Sequence, residues 1–266
     1  MTTVAPENIT DTPPPPLQEG RLYAFFFDVD GTLAALQAEP DAVSIPLIVR
    51  DRLLALSQAT DGALALVSGR PIAQLDALSA PHRFPLAGVH GAERRDAESQ
   101  LHRVTLSEKV VTPLQNMLQQ GMSAMQGTLL EAKGMAFALH YRQAPAFEHQ
   151  VLALAESAVE KFPGLQLQPG KCVVEIKPQG TDKGAAIQAF MQELPFKGRI
   201  PVFVGDDLTD EKGFLAVNAM QGISVKVGEG AGHAHYRLND VADVYDWLEQ
   251  LLSQIKHNNV GKGSRL

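Results

Sequence analysis

Short, unbroken apolar runs alternate with stretches of helical spacing along most of this chain. Leu22–Phe27, Ala63–Val67 and Leu86–Val89 are such runs, and their shortness and lack of alternation predict strands buried on both faces. Between the first two, Pro46–Ala59 spaces Ile48, Leu53, Leu54 and Leu56 as a helix opened by proline, and a shorter helix runs through Ile72, Leu75 and Leu78. Strands separated by helices in this way predict a doubly wound, mostly parallel α/β sheet.

From about Asp96 the pattern changes. Leu101–Leu106, Thr128–Ala132, Met135–Tyr141, Leu165–Gln168 and Cys172–Ile176 are short strand candidates, with longer helices near Ser107–Ala124 and Pro145–Phe162. The Lys133-Gly134 turn predicts a hairpin, and so antiparallel pairing. After Thr181 the first pattern resumes with helix Asp182–Glu193, strand Ile200–Val204, helix Thr209–Val217, strand Ile223–Val227 and helix Val241–Ile255. The domain organisation expected is therefore an α/β core over residues 21–95 and 179–256, interrupted by an inserted α+β cap over residues 96–178. Residues 1–20, with Pro13 to Pro16, carry no periodic apolar pattern and are expected to form a flexible leader; residues 257–266 read as a polar tail.

Composition narrows the function. The net charge of -7 is mild and dispersed, which argues against nucleic acid or an anionic membrane as the main partner. One cysteine, Cys172, excludes an intramolecular disulfide, fits a reducing compartment and reads as an ordinary packed thiol. No basic segment precedes an apolar one at the amino end, and no apolar run approaches the ~20 residues that span a bilayer. A cytoplasmic monomer acting on a small molecule is expected.

The chemistry gathers where strands end, because ligands of doubly wound sheets sit outside the carboxyl ends of the strands. Asp28-Val29-Asp30-Gly31-Thr32 follows the first strand, Ser68 the second, and Gly205-Asp206-Asp207 the strand at 200–204, while Lys183 opens the helix after the insertion. Crowded carboxylates require a cation, and a hard one such as Mg²⁺ suits them. Asp28 is the candidate nucleophile toward phosphorus and Asp30 the candidate general acid and base. Asp206 joins Asp28 and the backbone carbonyl of Asp30 as metal ligands, with Asp207 and Asp210 supporting them from behind. Ser68 is placed to face a phosphate, and Lys183, which opposes its helix dipole, to neutralise phosphoryl charge. Each element alone has a plainer alternative: a strand-ending turn, an acidic first helical turn, a helix N-cap, a solvated lysine.

Taken together, Asp-x-Asp-Gly-Thr at 28–32, Ser68, Lys183 and Gly-Asp-Asp at 205–207 resemble the haloacid-dehalogenase-like phosphatases in kind and order. The insertion is similar to that superfamily's second cap type. Within the superfamily the chain resembles the trehalose-6-phosphate phosphatases from about Leu22 to Gln254, through Val67-Ser68-Gly69-Arg70, Gly88-Val89-His90-Gly91-Ala92-Glu93, Glu131-Ala132-Lys133-Gly134, Val174-Glu175-Ile176-Lys177-Pro178 and Gly205 to Glu211. The resemblance implies Mg²⁺-dependent hydrolysis of trehalose 6-phosphate through an aspartyl-phosphate, as the last step of trehalose synthesis.

Glu131 with Lys133, and Glu175 with Lys177, each sit at i and i+2 and so share a strand face. A charged outer sheet face is the plain alternative; the resemblance implies that these four bind sugar hydroxyls. Arg70 is placed to meet phosphate or sugar, His140 and Arg142 are further candidates, and His90 packs beside the site. Two other functions keep the same acids: a phosphatase for another sugar phosphate, such as sucrose 6-phosphate, and a phospho-aspartate signalling switch. Asp30 and the insertion argue against the switch.

Overall fold

The computed structural model describes residues 12–37 and 42–263, with side chains through residue 256. Two compact units divide the chain, Met1–Leu101 with Asp182–Leu266, and His102–Thr181. The first contains β1 (Tyr23–Phe27), α1 (Leu47–Ala59), β2 (Leu64–Val67), α2 (Ile72–Ser79), β3 (Leu86–Gly88) and β4 (Glu93–Arg95), and the division falls within β5 (Leu101–Arg103). The second contains α3 (Glu108–Ser123), β6 (Leu129–Ala132), β7 (Phe137–His140), α4 (Glu148–Lys161), β8 (Leu165–Gly170) and β9 (Val173–Pro178). The chain then completes the first unit with α5 (Lys183–Met191), β10 (Ile200–Gly205), α6 (Glu211–Ala219), β11 (Ile223–Val227), β12 (Tyr236–Leu238) and α7 (Val241–Gly263).

The core sheet has the order β12-β11-β10-β1-β2-β3-β4-β5. Its strands from β12 to β3 run parallel, and β4 turns antiparallel against β3. Alternate residues of β1 enter opposite layers. Phe25 and Phe27 pack with Leu53 and Leu56 of α1 and Leu248 of α7, whereas Phe26 packs with Phe190 of α5 and Phe196. The Phe26 ring lies 5.4 Å from that of Phe196 and 6.0 Å from that of Phe190, centroid to centroid. Both faces of β1 are thus covered, which is why its sequence shows no polar alternation. Each fully buried phenylalanine is worth roughly 2–3 kcal/mol of apolar burial.

The second unit holds a four-stranded sheet in the order β6-β7-β9-β8, antiparallel throughout. Leu139, Val174, Ile176 and Leu165 form its apolar face against Leu114, Leu118 and Val151 of α3 and α4. The opposite face carries Glu131, His140, Glu175, Lys177, Gln166 and Gln168, with Glu131 and Glu175 both in register with Ala138.

Several expectations need adjustment. The flexible leader assigned to residues 1–20 lies outside the described residues through residue 11, and beyond that it is anchored. Leu17 is buried, its amide donates to Gln254 Oε1 at 2.8 Å, and the Arg237 amide donates to the Thr12 carbonyl at 3.0 Å. The tail expected at 257–266 is helical as far as Gly263, since α7 continues to that residue; residues 264–266 lie outside the described set. Val89 lies outside β3, at φ 48°. Strands β4 and β12 escape an apolar-run reading because each is only three residues long and is interrupted by arginine. Among the described residues, no helix is long and apolar enough to cross a membrane.

Candidate active site

Parallel register brings distant segments to one sheet edge. Phe27 is in register with Val204 on one side and Leu66 on the other, so Asp28 to Asp30, Ser68 to Arg70 and Asp206 to Asp210 all emerge from the same end. Asp28 is only 4% exposed. Lys183, the first residue of α5, places its ammonium 2.8 Å from Asp28 Oδ1 and 2.6 Å from Asp210 Oδ1. The helix begins there because the Asp182 side chain accepts the Ala185 amide at 2.8 Å, an N-cap bond. Burial acts to lower the Lys183 pKa, but Asp210, Asp28 and Asp207 outweigh it and hold the ammonium protonated, above its ordinary value. The carboxylates thus account for a lysine in a helical turn whose dipole disfavours it.

Asp210 is fully committed. Its Oδ1 accepts from Lys183, and its Oδ2 accepts the amides of Asp206 and Asp207 at 2.9 and 3.0 Å. Asp207 Oδ1 accepts the Thr209 amide and hydroxyl at 2.7 and 2.6 Å. Although burial raises the Asp207 pKa, Lys183 and these Thr209 bonds bring it below the usual carboxylate value. Both residues shape the turn that presents Asp206.

Asp28 and Asp206 differ in kind. Burial pushes the Asp28 carboxyl well above its ordinary range; Lys183 pulls it down, while Asp210, Asp206 and Asp207 push it further up. Asp206 is pushed up to about 7, first by burial and then by Asp210 and Asp207, against the pull of Lys183 and a hydrogen bond with Asp28. Such carboxylates lack enough positive charge nearby. Ligand oxygens of Asp28, Asp206 and Asp210 lie within 4.8 Å of one another. With both Asp210 oxygens occupied, Asp28 and Asp206 are the pair able to hold a cation, and an all-oxygen donor set fits a hard divalent ion. Gly31 confirms how closely the first loop approaches. Its φ is +77°, and a Cβ there would stand 2.0 Å from Asp206 Oδ2, so the Asp30–Gly31 peptide lies directly beside the Asp206 carboxylate.

Asp30 does not join that cluster through its side chain. Arg70 grips it with both arms of the guanidinium, Nε to Oδ2 and Nη2 to Oδ1, each at 2.7 Å. Arg70, expected to meet phosphate or sugar, is therefore placed on the candidate acid/base. Ser68 is buried, and its Oγ accepts the Arg70 amide at 3.2 Å. Behind this loop Val89 and His90 occupy the left-handed region, at φ 48° and 50°, a strained conformation for a β-branched residue. The strain is held by their amides, which donate to the Arg70 and Ser68 carbonyls at 3.0 and 2.9 Å. The turn thus fixes the Ser68–Arg70 loop, and His90 packs against Gly69.

In the second unit the expected sugar-binding residues share one sheet face. Lys133 is ion-paired with Glu175, His140 Nε2 lies 2.9 Å from Glu131 Oε2, and Lys177 Nζ donates to Gln168 Oε1 at 3.2 Å. The His140 bond lowers the Glu131 pKa in spite of burial. Arg142 is exposed and donates to the Lys171 carbonyl at 3.4 Å.

One residue of the site escaped the motifs. Lys226, inside the apolar strand β11, is 5% exposed and donates to the Asp206 carbonyl at 2.6 Å. A lysine within a run otherwise read as buried strand is the signal that could have found it.

Known proteins resemble this chain in sequence and in fold. The family model described as trehalose-phosphatase matches residues 26–242. The chain is 52% identical over 256 residues to the trehalose-6-phosphate phosphatase of Escherichia coli K12, covering 95% of each chain. It is 42% identical over 207 residues to a probable trehalose-phosphate phosphatase of Sinorhizobium fredii, covering 77% of this chain and 78% of that one. Among solved structures, the C-terminal domain of Candida albicans trehalose-6-phosphate phosphatase superposes with a TM-score of 0.77 at 20% identity, covering 88% of this chain and 93% of that one. A haloacid dehalogenase-like hydrolase from Bacteroides thetaiotaomicron gives 0.65 at 15% identity, covering 87% and 100%. At such identities the structural likeness speaks for the fold alone.

Proposed function

The chain belongs to the trehalose-phosphatase family, and from that membership we propose that it hydrolyses trehalose 6-phosphate to trehalose and phosphate through an aspartyl-phosphate on Asp28. The observation that carries this reading is the buried Asp28 carboxylate paired with Lys183 at 2.8 Å and grouped with Asp206 at the carboxyl end of β1. Asp28 attacks phosphorus as the bond to the sugar oxygen breaks, and Asp30 gives that oxygen a proton. Water then attacks the same phosphorus, Asp30 takes its proton, and the Asp28 carboxylate leaves. Lys183, fixed between two carboxylates, offers its charge to the phosphoryl oxygens, and the Ser68 hydroxyl donates to another. Asp28, Asp206 and the Asp30 carbonyl would hold Mg²⁺, which supplies neutralisation of phosphoryl charge during the transfer.

Arg70 sets a condition on this sequence. With one lone pair of each Asp30 oxygen taken by the guanidinium, the positive charge beside it opposes protonation of the carboxylate, so loosening the pair favours the general-acid step. Incoming phosphate and sugar oxygens are competing acceptors for Arg70. Glu131, Lys133, Glu175 and Lys177, with their mixture of donors and acceptors, suit the hydroxyls of a disaccharide and are assigned to its recognition.

A panel of sugar phosphates assayed by phosphate release tests the proposal. Trehalose 6-phosphate should give the highest kcat/KM, by about 10²-fold or more if the hydroxyl contacts are specific. A preference for sucrose 6-phosphate or a monosaccharide phosphate would overturn the substrate assignment.

A further inference from the structure

Lys226 stands out among groups that the proposed chemistry leaves unused. It occupies β11 in register with Gly205 and is 5% exposed, in a strand whose other residues are all buried. A buried ammonium is costly unless it meets charge or strong acceptors. Its ammonium donates to the backbone carbonyl of Asp206 at 2.6 Å, and the amide of the same residue donates to Asp210 Oδ2 at 2.9 Å. The Asp206 backbone is therefore clamped at both its N–H and its C=O, and those two bonds fix the Cα from which its carboxylate projects. Charge agrees with this placement. When ionised, Asp28, Asp206, Asp207 and Asp210 bring four negative charges against the two positive charges of Lys183 and Lys226, leaving two for a divalent cation to cancel.

We propose that Lys226 is a positioning residue of the metal site, holding the Asp206 carbonyl so that the carboxylate meets Mg²⁺ at the right place. The inference rests on the magnesium phosphatase reading above. Two effects of removing Lys226 oppose each other: losing a nearby positive charge favours a cation, whereas losing the clamp lets the carboxylate drift and disfavours it. The sign of the change in affinity distinguishes them, and the clamp predicts weaker binding.

The test begins with the wild-type protein, stripped of metal by a chelator and titrated calorimetrically with MgCl₂, in parallel with phosphate release. A wild type that turns over fully without divalent metal overturns the underlying reading, whatever the variants do. Given a metal-dependent wild type, Lys226→Met should weaken Mg²⁺ by about 10–100-fold, the usual effect of removing a group that orients a ligand. The KM for trehalose 6-phosphate at saturating Mg²⁺ should stay near the wild-type value. Lys226→Gln, with an N–H donor on a shorter stem, should fall between the two. Mg²⁺ affinity that is unchanged or tighter in a folded Met or Gln variant overturns the proposal. Failure of both variants to fold overturns it as well, because Lys226 would then serve the core and not the metal site.

Discussion

Gly31→Ala separates the stability of this fold from the geometry of its site. The glycine has φ +77°, and a Cβ built on it lies 2.0 Å from Asp206 Oδ2 and 2.4 Å from Asp206 Cγ. Real Cβ contacts do not fall below 3.0 Å, so the Asp206 carboxylate must retreat by at least about 1 Å. Because the obstacle is the end of a side chain, the fold can yield. The backbone conformation costs about 1–2 kcal/mol for an L-residue, which lowers Tm by roughly 2–8 °C for a chain of this size. The site cannot yield so easily, since a displacement of ~1 Å at the chemistry costs about 10²-fold in rate. Thermal denaturation, urea titration and phosphate release across a Mg²⁺ series would measure both sides. The expected variant is folded and slightly less stable, with kcat/KM down about 10²-fold and a higher Mg²⁺ requirement. A folded Gly31→Ala whose kcat and Mg²⁺ half-saturation match those of the wild type would refute the reasoning, because Asp206 would then not depend on the approach of Gly31.

Asp28→Asn should reduce phosphate release by about 10⁴-fold or more, the scale seen when a nucleophilic assembly is broken, while far-UV circular dichroism stays unchanged; retained turnover in metal-loaded protein would rule out the aspartyl-phosphate. Lys183→Met leaves Asp28 and Asp210 buried without their shared cation, so metal-free protein should lose about 3–5 kcal/mol in urea titrations, and added Mg²⁺ should recover part of it. A further test concerns pH. The hydrogen bond from Arg95 holds Asp76 below its ordinary pKa, so this pair stabilises the fold above the unfolded carboxyl value of about 3.9 and loses its effect as pH falls through the lower folded value. Urea curves at pH 7, 5 and 3.5 should show wild type gaining on Arg95→Met at the first two and the gap narrowing at the third. Because the Asp76 side chain is 40% exposed, solvent screening keeps the carboxylate's share below about 1 kcal/mol. A gap that widens toward acid would contradict the assignment.

Local chemistry explains which parts of the site were legible. Asp28, Asp30, Ser68, Lys183 and Asp206 each follow an apolar strand or open a helix, so position and residue type appear together in a short window. The pairing of Arg70 with Asp30 was not visible, since the two residues lie 40 positions apart in the chain. The turn at Val89 and His90 was hidden for a different reason: a valine after Leu86-Ala87-Gly88 continues the apolar run, and only the bonds to Ser68 and Arg70 pull it into the left-handed region. Strand β4 gives no apolar signal at all. Arg94 and Arg95 are nevertheless buried there because Glu193 and Asp76 meet them in two-armed pairs at 2.7 Å.

Apart from β4 and β12, the order of strands and helices follows from the chain read by itself, as do the change of pattern in its middle and the acids at strand ends, because burial imposes a period on consecutive residues. Which acid leaves its carboxylate toward Asp28 and which supports a turn is decided in three dimensions. Asp206 and Asp210 differ by where their oxygens point: Asp210 spends both on Lys183 and two amides, whereas Asp206 turns its carboxylate toward Asp28. The anchoring of Leu17 by Gln254, the grip of Arg70 on Asp30 and the burial of Lys226 belong to the same class. Each is a bond between groups that meet only once the sheet has closed, and short-range patterning carries no record of such partners.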